Sequence, residues 1–239
     1  MLSRNREPNT ASEGPLRVGA PAAVLWDMDG TLVDTEPSWI KAERALVEQA
    51  GGQWSDELGT ELIGQDLHVS AEFIRANSPV TAQPEEIIHA LLERVVADVR
   101  VHIPWRPGAR ELLLGVHEAG IPCALVTMSW ASLVEPIVEQ LPDGLFTVIA
   151  SGDVVAHGKP HPEPYLHATR ALGIDPVDCL AIEDSPAGVT SATRAGVPTL
   201  AVRHIIDIPP MPGALSLDGL AQVSVADLGD LRAQAAATF

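Results

Sequence analysis

Short apolar runs, each about the length of one buried strand, recur along the chain and constrain its fold more than any other feature. Helical periodicity lies between the later runs, as in the segment from Arg106 to Gly120. This alternation predicts an α/β fold with a doubly wound, Rossmann-like parallel sheet, whose binding site lies beyond the carboxyl ends of the strands. The predicted strands are Ala22–Trp26, Cys123–Val126, Phe146–Ala150, Cys179–Ile182 and Pro198–Val202.

The interval between the first and second runs has no strand pattern. From Pro37 to Val101 the apolar residues follow helical spacing, and Pro84 is placed to begin one of the helices. We therefore expect a small α-helical domain over residues 37–101, inserted into an α/β core. The core would comprise residues 21–36 and 102–239, preceded by a flexible polar leader over residues 1–20, and the segment Ile208–Gly219 is predicted to be a surface loop.

The net charge of the chain limits the classes of partner that it can bind. The 239 residues include 15 Lys+Arg and 32 Asp+Glu, which give a formal net charge of -17. Such a field repels nucleic acid and anionic lipid surfaces, and no apolar run approaches the roughly 20 residues of a membrane-spanning helix. We expect a monomer without a nucleic-acid or membrane partner. Cys123 and Cys179 both lie in apolar runs, where a buried free thiol is common, so we also expect a reducing cytoplasmic location.

Two carboxylates, Asp27 and Asp29, follow the first predicted strand in the sequence LWDMDGTLVD. Their spacing allows both side chains to point toward the same side. A close pair resists joint ionisation unless a cation neutralises it, so one carboxylate can act as a nucleophile while the other exchanges a proton. The alternative is a solvated acidic turn, since Asp-Gly is an ordinary turn sequence.

Later strand ends carry groups suited to an anion. Thr127 follows the second predicted strand, and its hydroxyl and the N–H groups of Met128 and Ser129 are potential donors. Lys159 is one of only two lysines in the chain, the other being Lys41. A lysine in so lysine-poor a chain favours a specific role over surface decoration.

A second acidic pair, Glu183 and Asp184, ends the predicted strand CLAIED. Asp184 is suited either to cap the following helix or to complete an oxygen-rich Mg²⁺ site with Asp27 and the backbone carbonyl of Asp29.

These segments, taken in order, resemble the signatures of the haloacid dehalogenase superfamily of phosphatases and phosphomutases. The matching elements are DMDGT, Thr127, Lys159-Pro160 and EDSPAG, and they span residues 22–202. The helical insertion resembles the cap domain of that superfamily. The subgroup that the chain resembles contains β-phosphoglucomutase and small sugar-phosphate phosphatases.

The resemblance implies a role for each of these residues. Asp27 would attack phosphorus and form an aspartyl-phosphate, while Asp29 would protonate the departing alcohol and then activate water. Mg²⁺ would be the cofactor, held by Asp27, Asp29 and Asp184 with Glu183 as an outer or alternate ligand. The implied phosphate-binding residues are Thr127, Met128, Ser129 and Lys159.

The insertion distinguishes branches of the superfamily. β-Phosphoglucomutases typically carry a histidine where this chain has Trp39, and an arginine in the loop that here reads GQDLHV. The presence of Asp29 argues against dehalogenase and phosphonoacetaldehyde chemistry. We therefore expect a phosphatase acting on a small phosphorylated metabolite, a sugar or polyol phosphate; a phosphomutase and a catalytically silent binding protein remain alternatives. Candidate substrate contacts in the insertion are Glu36, Trp39, Gln65 and His68.

Overall fold

The computed structural model describes residues 19–63 and 65–239, so most of the expected leader lies outside the described residues. Within them, six strands form one sheet in the order β3-β2-β1-β4-β5-β6, and every neighbouring pair is parallel. The strands are β1 Ala23–Trp26, β2 Cys123–Val126, β3 Phe146–Ala150, β4 Cys179–Glu183, β5 Thr199–Val202 and β6 Ala214–Leu217. The predicted α/β fold with a doubly wound parallel sheet is therefore confirmed.

Strand β1 lies at the switch point of the sheet. The chain proceeds outward from it through β2 and β3 on one side and through β4, β5 and β6 on the other. All residues of β1, β2 and β4 are buried, because helices cover both faces of the sheet. The carboxyl ends of these three strands therefore meet at one place, where parallel α/β sheets bind their ligands.

Five α-helices lie between β1 and β2 in the described chain, and the first four occupy the interval where the sequence predicts an insertion. These inserted helices are α1 Glu36–Gln49, α2 Asp56–Thr60, α3 Leu67–Asn77 and α4 Pro84–Val101. Helix α4 packs against α1 and α3 and also against α6, with its apolar face buried. The remaining helices are α5 Ala109–Glu118, α6 Ala131–Val138, α7 Glu163–Leu172, α8 Pro186–Arg194 and α9 Leu228–Ala236.

The prediction of a surface loop over Ile208–Gly219 is wrong in part, because Ala214–Leu217 forms β6. This strand pairs with β5 at the edge of the sheet and is only partly buried, so its short ALSL sequence lacks the continuous apolar run of the inner strands. The five predicted strands are present, each with ends within one residue of the expected bounds. No helix among residues 19–63 and 65–239 is both long and apolar enough to span a membrane.

Leu25 provides a test of this core, since its side chain is fully buried in the central strand. Leu25→Ala is expected to lower the free energy of unfolding by about 2–5 kcal/mol, because it leaves a cavity that the sheet cannot collapse to fill. Urea denaturation monitored by circular dichroism measures this change. Val101→Ala is the control, because Val101 is 88% exposed; an equal loss in both variants would contradict the assigned burial.

Candidate active site

Backbone hydrogen bonds at the switch point continue the parallel ladder into the residues that follow the strands. The Asp27 N–H donates to the Ile182 carbonyl at 3.1 Å, and the Thr127 N–H donates to the Ala150 carbonyl at 2.9 Å. Asp184 follows β4 directly. The sheet therefore sets the spacing of the side chains that it brings together at this edge.

The Lys159 ammonium is the electrostatic centre of the site. Its Nζ lies 2.6 Å from Asp27 Oδ1, 2.6 Å from Glu183 Oε1 and 2.8 Å from the carbonyl oxygen of Val126, and its side chain is 5% exposed. Burial lowers the pKa of Lys159, but the two carboxylates outweigh burial and leave the pKa raised. The lysine therefore stays protonated and links β1, β2 and β4.

Glu183 lies behind this lysine in the core. Its side chain is fully buried, and Oε1 accepts hydrogen bonds from Lys159 and from the Tyr165 hydroxyl at 2.5 Å. A side chain at position 188 would collide with this carboxylate, since a Cβ on Gly188 would lie 1.8 Å from Glu183 Oε2. Burial raises the pKa of Glu183 while Lys159 opposes the shift. These contacts orient Glu183 toward Lys159.

Asp29 has different neighbours from Asp27. Its carboxylate accepts hydrogen bonds from the Thr35 hydroxyl, from Ser129 Oγ at 2.7 Å and from Thr127 Oγ1 at 3.3 Å. Burial raises the pKa of Asp29 in spite of these hydrogen bonds, and the nearby Asp27 adds to the increase. The arrangement favours a carboxyl group that can carry and release a proton.

The loops after β2 and β3 interlock around Met128. Its Sδ accepts a hydrogen bond from the Lys159 N–H at 3.3 Å, and a Cβ on Gly158 would lie 2.3 Å from its terminal methyl carbon. The backbone N–H of Met128 has no hydrogen-bond partner within the part of the chain that the structure describes. It therefore remains available to an anion at this edge of the sheet.

Three carboxylates crowd together where the sequence predicts a metal. Asp27, Glu183 and Asp184 each offer an oxygen atom, and these atoms lie within 4.8 Å of one another. Asp27 Oδ2 is buried without a hydrogen-bond partner in the described chain. Burial, followed by the charges of Asp27 and Glu183, raises the pKa of Asp184 to about 9. This excess of buried oxygen ligands over cationic side chains fits a hard divalent cation such as Mg²⁺.

A cavity of about 120 Å³ lies between this edge and the inserted helices. Three of the four candidate substrate contacts, Glu36, Trp39 and Gln65, line it. His68 is not among its lining residues; its ring lies 5.9 Å from that of Trp130, and its side chain is 53% exposed.

Sequence reasoning did not identify four polar residues of the cavity wall as site residues, namely Glu43, Ser70, Ser185 and His204. Glu43 lies seven residues after Glu36 on α1, a spacing that places both on one helix face and is visible in the sequence. Burial raises the pKa of Glu36 to about 8 and the pKa of Glu43 to about 7. Nothing in the sequence distinguishes His204, which follows β5, from other polar residues of the chain.

Several named proteins are similar to this chain in sequence or in structure. Hexitol phosphatase B from Escherichia coli (strain K12) is 30% identical over 190 residues, covering 75% of this chain and 82% of that protein. N-acetylmuramic acid 6-phosphate phosphatase from Pseudomonas putida is 32% identical over 186 residues, covering 76% and 82%. The crystal structure of a CbbY variant from Rhodobacter sphaeroides with xylulose-1,5-bisphosphate is 30% identical, has a TM-score of 0.77 and covers 87% of this chain and 99% of that chain.

A match to the profile of one protein family covers most of the chain and establishes the family to which it belongs. The sequence profile of haloacid dehalogenase-like hydrolases matches residues 24–202, which contain all the polar groups that converge at the switch point. This chain belongs to the haloacid dehalogenase-like hydrolase family.

Proposed function

We propose that the protein is a Mg²⁺-dependent phosphatase that hydrolyses a small sugar or polyol phosphate through an aspartyl-phosphate on Asp27. The observation that carries the proposal is the pairing of two unlike carboxyl groups, since Asp27 contacts an ammonium while Asp29 contacts three hydroxyls. The ammonium contact orients Asp27 as a nucleophile, whereas burial raises the pKa of Asp29 in spite of the three hydroxyls and so favours a proton carrier. The phosphatase names of the similar proteins support the same reaction class.

In the first step, an Asp27 carboxylate oxygen would form a bond to phosphorus as the bond to the leaving oxygen breaks. Asp29 would donate its proton to that oxygen, so the product leaves as a neutral alcohol. In the second step, Asp29 would accept a proton from water, and the water oxygen would displace the Asp27 carboxylate from phosphorus. Inorganic phosphate and free Asp27 result, and the protonated Asp29 is restored.

The charge of the transferring group requires compensation. Lys159 would orient Asp27 and place a positive charge beside it, while Glu183 and Tyr165 position Lys159 from behind. The N–H of Met128 would donate to a phosphoryl oxygen, and the hydroxyls of Thr127 and Ser129, which donate to Asp29 in this structure, would rotate to do the same. Such preorganised donors account for much of the rate acceleration in phosphoryl transfer.

Asp27 and Asp184 would hold Mg²⁺, with the backbone carbonyl of Asp29 as a further ligand. When bound, the ion supplies Lewis-acid neutralisation of phosphoryl charge. The contacts of Glu183 with Lys159 and Tyr165 favour its role as an outer residue.

The two cysteines support a reducing, cytoplasmic location. Both thiols are free and buried, and burial raises the pKa of Cys123 to about 11 and that of Cys179 to about 12. Neither thiol is poised for thiolate chemistry at neutral pH.

Asp27→Asn tests the nucleophile. We expect phosphate release from p-nitrophenyl phosphate and sorbitol 6-phosphate to fall more than ~10⁴-fold, because an amide oxygen cannot replace the carboxylate in attack on phosphorus. A malachite-green assay with saturating Mg²⁺ measures this loss. Asp143→Asn makes the same change at an exposed position and should retain full activity. Comparable activity in the two variants would contradict the assignment.

The two lysines provide a matched pair. Lys159→Met should lower kcat at least ~100-fold and destabilise the fold by about 3–5 kcal/mol, because it leaves Asp27 and Glu183 buried without their cation. Lys41→Met should change stability by no more than about 1 kcal/mol, since the ion pair of Lys41 with Asp98 is exposed. Steady-state kinetics and urea denaturation measure both effects. Normal kinetics in Lys159→Met would refute the role of this lysine.

Metal dependence is tested by titration. EDTA should abolish phosphate release from the wild-type protein, and added Mg²⁺ should restore it. Asp184→Asn should need at least ~10-fold more Mg²⁺ for half-maximal activity, since a ligand charge is lost. Full activity in EDTA would exclude a metal-dependent mechanism.

A further inference from the structure

Among the described residues 36–63 and 65–101, which contain the inserted helices, no cationic side chain lines the cavity. The polar side chains that this segment contributes to the wall are those of Glu36 and Glu43 on α1, Ser70 on α3 and Gln65 in the loop between α2 and α3. Among the described residues that line the cavity, the basic ones are Lys159 and His204, and both belong to the α/β core. Lys159 Nζ already has three close contacts, and His204 Nε2 lies 3.4 Å from Asp34 Oδ1. The organic part of a substrate would therefore meet no cation from the described residues of the inserted helices and their loops, and Lys159 of the core is already engaged by two carboxylates.

The two glutamates line the cavity from one helix, α1, whose first residue follows a contact of Asp29. Thr35, which donates to the Asp29 carboxylate, immediately precedes Glu36 at the start of α1. Glu43 lies two turns further along the same face, about 10 Å along the helix axis. An alcohol that receives its proton from Asp29 would thus extend past Glu36 toward Glu43.

Glu43 is held as a hydrogen-bond acceptor. Its side chain is 4% exposed, and Trp54 Nε1 donates to Oε2 at 3.1 Å. The Trp54 ring packs edge-on against Phe73, with ring centroids 6.2 Å apart. Oε1 has no hydrogen-bond partner within the described part of the chain. One oxygen is therefore anchored, and the other is available to a donor in the cavity.

The two glutamates of the cavity wall interact favourably with a hydroxyl group but not with an anion. A carboxyl group accepts a hydrogen bond from a hydroxyl whether or not it is protonated. A second phosphate or a carboxylate would be repelled by ionised glutamates and would lack a counter-ion beside protonated ones. Both protonation states of the pair therefore favour the uncharged group.

We propose that Glu36 and Glu43 form a subsite for the hydroxyl groups of an uncharged sugar or polyol, and that substrates with a second anionic group are excluded. The inference rests on the proposed phosphatase function. It assigns Glu43, held by Trp54, as a residue that determines specificity.

Matched substrate pairs test the charge preference. The kcat/KM for fructose 6-phosphate and mannitol 1-phosphate should exceed that for the corresponding 1,6-bisphosphates at least ~100-fold. Values within threefold would overturn the proposal. A preference of tenfold or more for glucosamine 6-phosphate over glucose 6-phosphate would also overturn it, because the subsite would then select an ammonium group.

The test separates this inference from the proposed function. Hydrolysis of p-nitrophenyl phosphate reports the chemistry without the subsite, so its absence would count against the phosphatase itself. Calorimetric binding of fructose 6-phosphate and fructose 1,6-bisphosphate to the Asp27→Asn variant, with Mg²⁺, examines the subsite without turnover. Tighter binding of the bisphosphate would overturn the inference, while binding of the monophosphate alone would support it.

Glu43→Gln tests the acceptor directly. We expect the ratio of kcat/KM for mannitol 1-phosphate to that for p-nitrophenyl phosphate to fall at least ~10-fold, mainly through KM, because the amide is a weaker acceptor. Glu48→Gln makes the same change on the exposed side of α1 and should leave the ratio unchanged. Thermal unfolding of both variants identifies a folding defect. An unchanged ratio in folded Glu43→Gln would refute its role.

Adding a positively charged side chain to the cavity wall tests the proposed exclusion of substrates with a second anionic group. Gln65 lines the cavity and is exposed, so Gln65→Arg can be introduced without burying a new charge. It should raise kcat/KM for fructose 1,6-bisphosphate at least ~10-fold relative to fructose 6-phosphate. Gln53→Arg, at an exposed position that does not line the cavity, is the matched control and should not shift the ratio. Continued exclusion of the bisphosphate by Gln65→Arg would overturn the charge argument.

Discussion

The Lys159 ammonium, buried between two carboxylates, is the interaction on which the geometry of the site depends. It contacts Asp27 after β1, Glu183 at the end of β4 and the Val126 carbonyl at the end of β2. A buried cation is stable only when it is paired and hydrogen-bonded, so the three strand ends must hold their relative positions for the lysine to remain. The same contacts that satisfy Lys159 orient the proposed nucleophile.

The cationic side chains of the described site come from one side. The α/β core supplies Lys159 together with the crowded carboxylates and the N–H of Met128, which has no hydrogen-bond partner among the described residues, whereas the segment of the inserted helices supplies carboxyl groups, an amide and a hydroxyl but no cation. This division matches a substrate with one anionic end and one hydroxyl-bearing end. The likeness to hexitol phosphatase B and CbbY extends over most of the chain, and the charges on the cavity wall provide a basis for separating substrate classes within such a family.

The likeness to β-phosphoglucomutases concerns the fold. One such structure, from Clostridium difficile, is 21% identical with a TM-score of 0.74. In this chain Trp39 on α1 and Gln65 in the loop between α2 and α3 line the cavity, and neither provides a cation for a second phosphate. These two positions are consistent with the proposed hydrolysis of a monophosphate.

Local sequence was sufficient to predict the parallel sheet and the convergence of Asp27, Thr127, Lys159 and Asp184, because buried strands have continuous apolar runs and parallel strands align their carboxyl ends. It did not reveal β6, whose formation depends on pairing with β5 at the edge of the sheet. Local sequence patterns also did not predict which polar groups contact one another. The packing of distant segments places Glu183 behind Lys159. It also brings Glu43 into the cavity wall and leaves His68 outside it. Burial and charge pairing are properties of the assembled fold, since they arise between residues far apart in the chain.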